Sequence, residues 1–398
     1  MKKISSEKNK PVRAIAAAMV MLLCLGGFFV IFGKRESGTH ASLSDNTETT
    51  LFMSADDAGA DLSVSARSAV LIEASSGEVI WAKNPDTRMP MASTTKIMTA
   101  LVALEMGDIT KKVKISPLAV GVEGSSIYLS ENEALTLEEL LYAMMLESAN
   151  DAAAAIAIEI GGSIEGFAEL MNKKAQSMGL CDTHFENPHG LDGETHYTTA
   201  RELALIAREA LSNETFRKIV STHKKVIPLG NGEGARVLVN HNKMLDRYEG
   251  ATGVKTGFTK KSGRCLVSSA ERDGLTFIAV TLNAPDDWND HENMLDLAFS
   301  LYEKRTLCDI GSFSYIMPLC GGVGDHVMLE NTQKVTVILP RNAKNIKCVV
   351  ELPRFCYAPI SEGDVVGRLV FTLDGKEIAE SEIIAKTTVG MQKKKLFG

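Results

Sequence analysis

Hydrophobic and polar positions change their period several times along the chain, and each change marks an element. Ala69-Val70-Leu71-Ile72 is a short apolar run, Ser75-Ser76-Gly77 has turn chemistry, and Val79-Ile80-Trp81 is apolar again, which predicts a β-hairpin. After Pro90, apolar residues at Ile97, Ala100, Leu101 and Leu104 repeat at three- and four-residue spacing, so a helix should start near residue 91 or 92. Thr136-Leu137-Glu138-Glu139 has the form of a capping box and leads into the apolar run Leu140 to Leu146, a second helix. The alanine-rich stretch from Asp151 to Ile160 ends at Gly161-Gly162 and reads as a helix with its C-cap, and Thr199 to Leu211 as another. Strands follow at 253–258, 265–270 and 275–282, the last two joined by the hairpin turn Asp273-Gly274, and Asn293 to Lys304 closes the series as a helix. Beyond it, strands at 334–339, 346–352, 365–373 and 377–385 alternate with Gly, Pro and Asp-Gly turns. The order of elements predicts an α/β unit over 64–305 and an all-β unit over 306–389, with a basic tail over 390–398. No internal repeat is present.

The first 63 residues differ from the rest. Residues 1–13 carry a net charge of +4, and Ala14 to Gly33 are twenty residues without a charge, about what a helix needs to cross a ~30 Å hydrocarbon core. Residues 1–33 are therefore expected to be a cytoplasmic basic tail and a membrane helix, with everything after Lys34 outside the membrane. The best small-residue cleavage site, Thr39-His40-Ala41, is mediocre, so an uncleaved anchor is favoured over a cleaved secretory signal. Residues 34–63 are rich in Ser, Thr, Asp and Gly and have the composition of a flexible linker, with a typical span of roughly 30 Å.

Composition narrows the function. With 398 residues, 45% of them hydrophobic and 23% charged, the chain can build more than one core and is not a disordered or collagen-like protein. Outside the first 13 residues the net charge is −11, which argues against a nucleic-acid partner. Six cysteines follow the apolar segment, at 181, 265, 308, 320, 348 and 356, with no Cys-x-x-Cys pair, so neither a zinc ribbon nor a disulfide framework is indicated. One or two bridges among the last four are open to an oxidising compartment, without an assignable pairing.

Three short motifs carry candidate chemistry. Ser93-Thr94-Thr95-Lys96 places a hydroxyl and an amine three positions apart at a helix start, where both project from one face. The amine can take the serine proton only if burial or a second cation lowers its pKa from about 10.4. Ser148-Ala149-Asn150 falls at a break between two helices, where polar side chains can point into a cleft. Lys255-Thr256-Gly257 falls in a strand, where Lys can bind a carboxylate or depress the pKa of Lys96 and Gly admits a substrate backbone. His184, His189 and His196 fit no helix face, so structural roles are favoured over metal binding. Asp286 to Asp290 reads as an acidic loop.

Each motif is common by itself, but Ser-x-x-Lys at 93–96, Ser-x-Asn at 148–150 and Lys-Thr-Gly at 255–257 stand here in that order, each in the element such chemistry needs. In this the sequence resembles the penicillin-recognising serine acyl-enzymes. Within them it is most similar to the low-molecular-mass serine-type D-alanyl-D-alanine carboxypeptidases. The likeness extends to Phe185-Glu186-Asn187-Pro188-His189-Gly190-Leu191-Asp192, to Tyr197-Thr198-Thr199-Ala200-Arg201, to the stretch Tyr248 to Thr259, and to Ala358-Pro359-Ile360 and Val365-Val366-Gly367 in the β unit, covering residues 64 to 389.

The resemblance implies a catalytic domain of the β-lactamase/transpeptidase-like type, an antiparallel sheet flanked by helices plus a helical subdomain, followed by a small β-sandwich-like domain. It implies that Ser93 is the nucleophile, Lys96 its general base, and Ser148 a proton relay to the departing D-alanine. Asn150 would hold the acyl-chain amide, Lys255, Thr256 and Gly257 would line the carboxylate site, and the backbone N–H groups of Ser93 and Phe258 would form the oxyanion hole. Neither metal nor cofactor is required. The implied partners are peptidoglycan stem peptides and β-lactam antibiotics as inhibitors, at a bacterial cell membrane with the catalytic domain outside. Phe258 departs from members with His at that position, and residues 386–398 lack the long apolar face of a C-terminal anchor helix. Alternatives are a DD-endopeptidase or transpeptidase of the same superfamily, a β-lactamase, for which no convincing Glu-x-x-Leu-Asn segment follows Ser-x-Asn, and a non-hydrolytic penicillin-binding sensor.

Overall fold

The computed structural model describes residues 62–393 except Asn132 and Glu233, and three short stretches before them, 19–21, 28–32 and 49–52. The chain divides into two compact units, Ser54–Lys304 with Leu339–Arg341, and Arg305–Ile338 with Asn342–Gly398 and Met1–Met53.

The first unit is built on a five-stranded antiparallel sheet. Its strands are β1 (Ser68–Glu73) and β2 (Val79–Lys83), then, past two short two-stranded pairs, β3 (Lys112–Lys114) with β4 (Ala134–Thr136) and β5 (Lys224–Pro228) with β6 (Ala235–Val239), come β7 (Ala251–Thr259), β8 (Gly263–Arg272) and β9 (Leu275–Leu282). The main sheet runs in the order β7-β8-β9-β1-β2, so the Lys-Thr-Gly strand is an edge. Helices are α1 (Lys96–Met106), α2 (Leu137–Leu146), α3 (Asn150–Gly161), α4 (Ile164–Ser177), α5 (Ala200–Ser212), α6 (Glu214–Val220), α7 (Met244–Arg247) and α8 (Asp287–Leu301).

Both faces of the sheet are covered, which is why its strands read as near-continuous apolar runs. On one face Phe277 of β9 meets Phe299 of α8, ring centroids 4.8 Å apart, and Thr281 bonds His291 of α8. Their neighbours Ile278, Val280 and Leu282 point the other way, into a core shared with α1 through α6. Within that core α1 is buried on every side from Lys96 to Ala103, and the alanines of α3 let adjacent helices approach closely. The capping box at Thr136 is formed with both reciprocal bonds, and Gly162 ends α3 in the left-handed conformation at φ 76°.

One local expectation is revised, and two further elements are present that the hydrophobic pattern does not announce. The acidic stretch at 286–290 is not a loop but the start of α8, because tertiary partners consume its charges. Asp287 accepts Nε and Nη2 of Arg264, and Asp290 accepts the N–H and hydroxyl of Ser65 and the N–H of Ala66. The hairpin β5–β6 escaped the periodicity because its outward face is itself apolar, with Val226 opposite Val237 and both exposed. Helix α4 is likewise present, capped by the Ser163 hydroxyl on the N–H of Gly166.

In the second unit the expected strands are present as Val335–Pro340, Ile346–Leu352, Val365–Leu373 and Lys376–Ala385. The last two pair with each other, and Ser314–Cys320 and His326–Asn331 extend the sheet beyond Lys376–Ala385. All six described cysteines are free thiols, so no bridge joins Cys308, Cys320, Cys348 or Cys356.

The membrane helix expected over 14–33 lies mostly outside the described residues. The two described pieces, Met19–Met21 and Phe28–Phe32, are extended, consistent with the β-branched and aromatic make-up of Phe-Phe-Val-Ile-Phe. Among the described residues no helix is long and apolar enough to cross a membrane.

Candidate active site

Ala92–Thr95 form a single 3-10 turn that runs directly into α1, so Ser93 and Lys96 sit one turn apart. The turn is pinned from inside: the Thr94 hydroxyl donates to the Met91 carbonyl at 2.6 Å and the Thr95 hydroxyl to the Ala92 carbonyl at 2.8 Å. Ala92 has φ 48°, the left-handed region that costs a non-glycine residue of order 1 kcal/mol or more. Two glycines let other backbone segments approach this turn. A Cβ on Gly257 of β7 would lie 3.0 Å from the Ser93 nitrogen, and one on Gly190 would overlap the Ala92 carbonyl. The turn and the edge strand are thus in backbone contact, which brings the Ser93 and Phe258 segments together.

Lys96 is fully buried, with Nζ 3.0 Å from Ser93 Oγ, 2.7 Å from Asn150 Oδ1 and 2.5 Å from the His189 carbonyl oxygen. The orientation of the Asn150 amide follows from its other contact, Nδ2 donating to the Glu123 carbonyl at 2.5 Å, so Oδ1 is the atom facing Lys96. Burial first, and the nearby Lys255 cation second, hold the Lys96 amine well below its ordinary range, against the opposing field of Asp151.

Ser148 occupies the break between α2 and α3 at φ 60°, and its side chain makes no hydrogen bond to another described residue. Asn150 begins α3, its N–H donating to the Ser125 carbonyl at 2.7 Å. The neighbouring Asp151, fully buried, accepts the Ser126 hydroxyl at 2.6 Å and the Leu129 N–H at 3.0 Å, and so holds the 123–129 segment against Asn150. Arg236 of β6 clamps the same segment from the far side through the Ile127 carbonyl at 3.0 Å. It forms a two-pronged pair with the buried carboxylate of Glu133.

Lys255 is buried on β7, its Nζ donating to the Thr256 carbonyl, and burial brings its pKa down to about 7. Thr256 and Gly257 are half-buried beside it, whereas the Phe258 side chain is 65% exposed and contributes its backbone rather than its ring to the interior.

The eight residues expected from the motifs therefore lie on three elements, the nucleophile turn, the α2–α3 break and the β7 edge, with Ser93, Lys96 and Asn150 in direct hydrogen-bond contact. What sequence reasoning missed is mostly backbone. The carbonyls of His189 and Glu123 and the approach of Gly190 carry no residue-type signature, and Asp151 and Arg236 act only through the loop they hold. The three histidines separate into different roles. His184 bonds the Thr195 carbonyl at the surface, His189 supplies a carbonyl to Lys96, and His196 reaches Thr95.

Comparison with known proteins shows the family. A family model described as D-alanyl-D-alanine carboxypeptidase (peptidase S11) matches residues 53–286, and one for the C-terminal domain of penicillin-binding protein 5 matches residues 302–391. The D-alanyl-D-alanine carboxypeptidase DacF of Bacillus subtilis is 35% identical over 336 residues, 82% of this chain and 86% of that protein. DacC of Escherichia coli is 30% identical over 349 residues, 82% of this chain and 85% of that one. Among solved structures, penicillin-binding protein 5 of Haemophilus influenzae superposes with a TM-score of 0.62 at 30% identity, covering 82% of this chain and 98% of that chain.

Proposed function

The chain belongs to the D-alanyl-D-alanine carboxypeptidase family and is a serine-type carboxypeptidase that removes the terminal D-alanine of peptidoglycan stem peptides, and from this premise we propose which residues perform each step. The carrying observation is the set of three neighbours around Lys96 Nζ. Two of them, Asn150 Oδ1 and the His189 carbonyl, can only accept. A neutral amine has two N–H bonds and one lone pair, so those acceptors take both hydrogens and leave the lone pair facing the Ser93 hydroxyl. Burial and the Lys255 cation favour that neutral form, and the two acceptors then orient it as a general base toward Ser93.

Ser93 Oγ then attacks the carbonyl carbon of the penultimate D-alanine as Lys96 takes its proton. The developing oxyanion is met by the backbone N–H groups of Ser93 and Phe258. The proton passes through Ser148 to the amine of the leaving D-alanine, and water hydrolyses the acyl-enzyme with Lys96 again as base. Asn150 Nδ2, already committed to Glu123, stiffens the site, while its Oδ1 exchanges between Lys96 and the acyl-chain amide. Lys255 and Thr256 receive the terminal carboxylate. Penicillin acylates the same serine, and the slow step is then hydrolysis.

Incubation of the protein with an N-acylated L-Lys-D-Ala-D-Ala peptide should release free D-alanine, and Ser93→Ala should release none. Uptake of penicillin at Ser93 without release of D-alanine would instead indicate a cross-linked substrate, as for an endopeptidase or transpeptidase.

Lys255 sets a second expectation. With its pKa near 7, the free enzyme carries the carboxylate-binding charge below that pH and loses it above. KM for the peptide acid should therefore rise from pH 7 upward by up to about tenfold per unit. Lys255→Arg, charged throughout, should flatten that limb. A wild-type KM that stays constant from pH 6 to 9 would mean the carboxylate is held by other groups.

The uncharged stretch from Ala14 to Gly33 behind a basic start supports placement at the bacterial cell membrane with the catalytic unit outside. Fractionation of cells expressing the full chain and a form starting at residue 62 tests this, because only the former should sediment with membranes.

A further inference from the structure

His196 lies outside the three motifs yet reaches the nucleophile turn. It is almost fully buried on the segment between α4 and α5, with its ring edge-on to Phe185 at a centroid distance of 5.8 Å. Its Nδ1 is 3.0 Å from the backbone N–H of Glu186, which can only donate, so Nδ1 is the unprotonated nitrogen. Nε2 therefore carries the hydrogen and donates it to the Thr95 hydroxyl, 2.8 Å away. With its lone pair engaged, that hydroxyl turns its own hydrogen onto the Ala92 carbonyl at 2.8 Å. Every donor in the chain from Glu186 through His196 and Thr95 to Ala92 points the same way, and it ends on the residue before Ser93, the one held at φ 48°.

We propose that His196, as the neutral Nε2–H tautomer, is a positioning residue for the acylation step, holding Ala92 in its left-handed conformation through the Thr95 hydroxyl so that Ser93 stays aligned with Lys96 and the edge strand. It touches neither substrate nor reacting atoms. Burial agrees with a neutral ring, pushing its pKa down to about 4. The Glu186 carboxylate does not compete for the ring, because it is bonded to the N–H and hydroxyl of Thr195. Thr94 offers a contrast within the same turn: its hydroxyl serves Met91, and among the described residues no side chain hydrogen-bonds to that hydroxyl in turn, whereas the Ala92 anchor is relayed from a distant segment.

This inference rests on Ser93 being the acylated residue, which acylation of the wild type by a fluorescent penicillin, absent in Ser93→Ala, checks separately. The test is the acylation rate constant and the prior binding constant of the full chain and its variants. His196→Ala should slow acylation roughly ten- to a hundredfold, the scale of a misplaced reacting group, with binding nearly unchanged. Thr95→Val, which keeps the shape and removes the hydroxyl, should match it, and the double variant should be no slower than either single one. His196→Gln, whose amide can both accept and donate, should recover most of the rate. Nitrogen NMR of the wild type should show the Nε2–H tautomer persisting down to about pH 5. Acylation at the wild-type rate by folded His196→Ala or Thr95→Val, multiplying losses in the double variant, or an Nδ1–H tautomer would each overturn the proposal.

Discussion

Ser93→Ala, Lys96→Ala and the double variant are expected to lose D-alanine release to nearly the same extent, roughly 10⁵- to 10⁶-fold for residues that act as one unit. The reason is geometric. Nζ of Lys96 lies 3.0 Å from Ser93 Oγ, and among the described residues no other amine or carboxylate is hydrogen-bonded to that hydroxyl, so neither residue can perform acylation without the other. Single-turnover kinetics on the three proteins would measure it, and a further loss on combining the substitutions would show that each residue also works alone. Lys96→Ala also removes a buried amine whose folded pKa lies far below its unfolded value. Between the two values the unfolded chain holds a proton that the folded one does not, so that amine makes wild-type stability rise with pH in this window. The inactive variant should therefore be no less stable at pH 7 than its cavity alone dictates, and should show a flatter dependence of stability on pH.

Gly190→Ala is expected to slow acylation by at least about a hundredfold, although residue 190 carries no chemistry. Its φ of 89° already disfavours a side chain, and the added Cβ would overlap the Ala92 carbonyl and stand 3.0 Å from the Ser93 nitrogen. Either the 186–192 segment retreats, taking the His189 carbonyl from Lys96, or the nucleophile turn does, taking Ser93 from the edge strand. Gly162→Ala separates the two contributions. It has a similar φ of 76° but open space around the new Cβ, so it should cost only the backbone term, above about 1 kcal/mol, and leave acylation intact. Equal acylation by the two variants, measured with a fluorescent penicillin, would show that the close approach at 190 does not matter.

The architecture was legible wherever one face of an element met the core and the other met polar surroundings. The hairpin at Ser68–Lys83, the capped α2 and the strand pair around Asp273-Gly274 follow from local pattern and turn chemistry. Pattern failed where burial was decided by distant residues. The first turns of α8 look like an acidic loop until Arg264 and Ser65 are placed against them, and β5–β6 turns valines outward.

The same division runs through the site. The identities and order of Ser93, Lys96, Ser148, Asn150, Lys255, Thr256 and Gly257 carry the resemblance to the penicillin-recognising serine acyl-enzymes, and the reaction class followed from that resemblance. Folding alone could decide that Lys96 is a base. Its neutrality comes from full burial and from Lys255 brought in across 159 positions, while two acceptors, one of them a main-chain carbonyl at His189, orient the amine. A carbonyl looks the same at every position of the sequence, and desolvation belongs to the whole packed core. The residues name the groups that react; their protonation and alignment are properties of the tertiary structure.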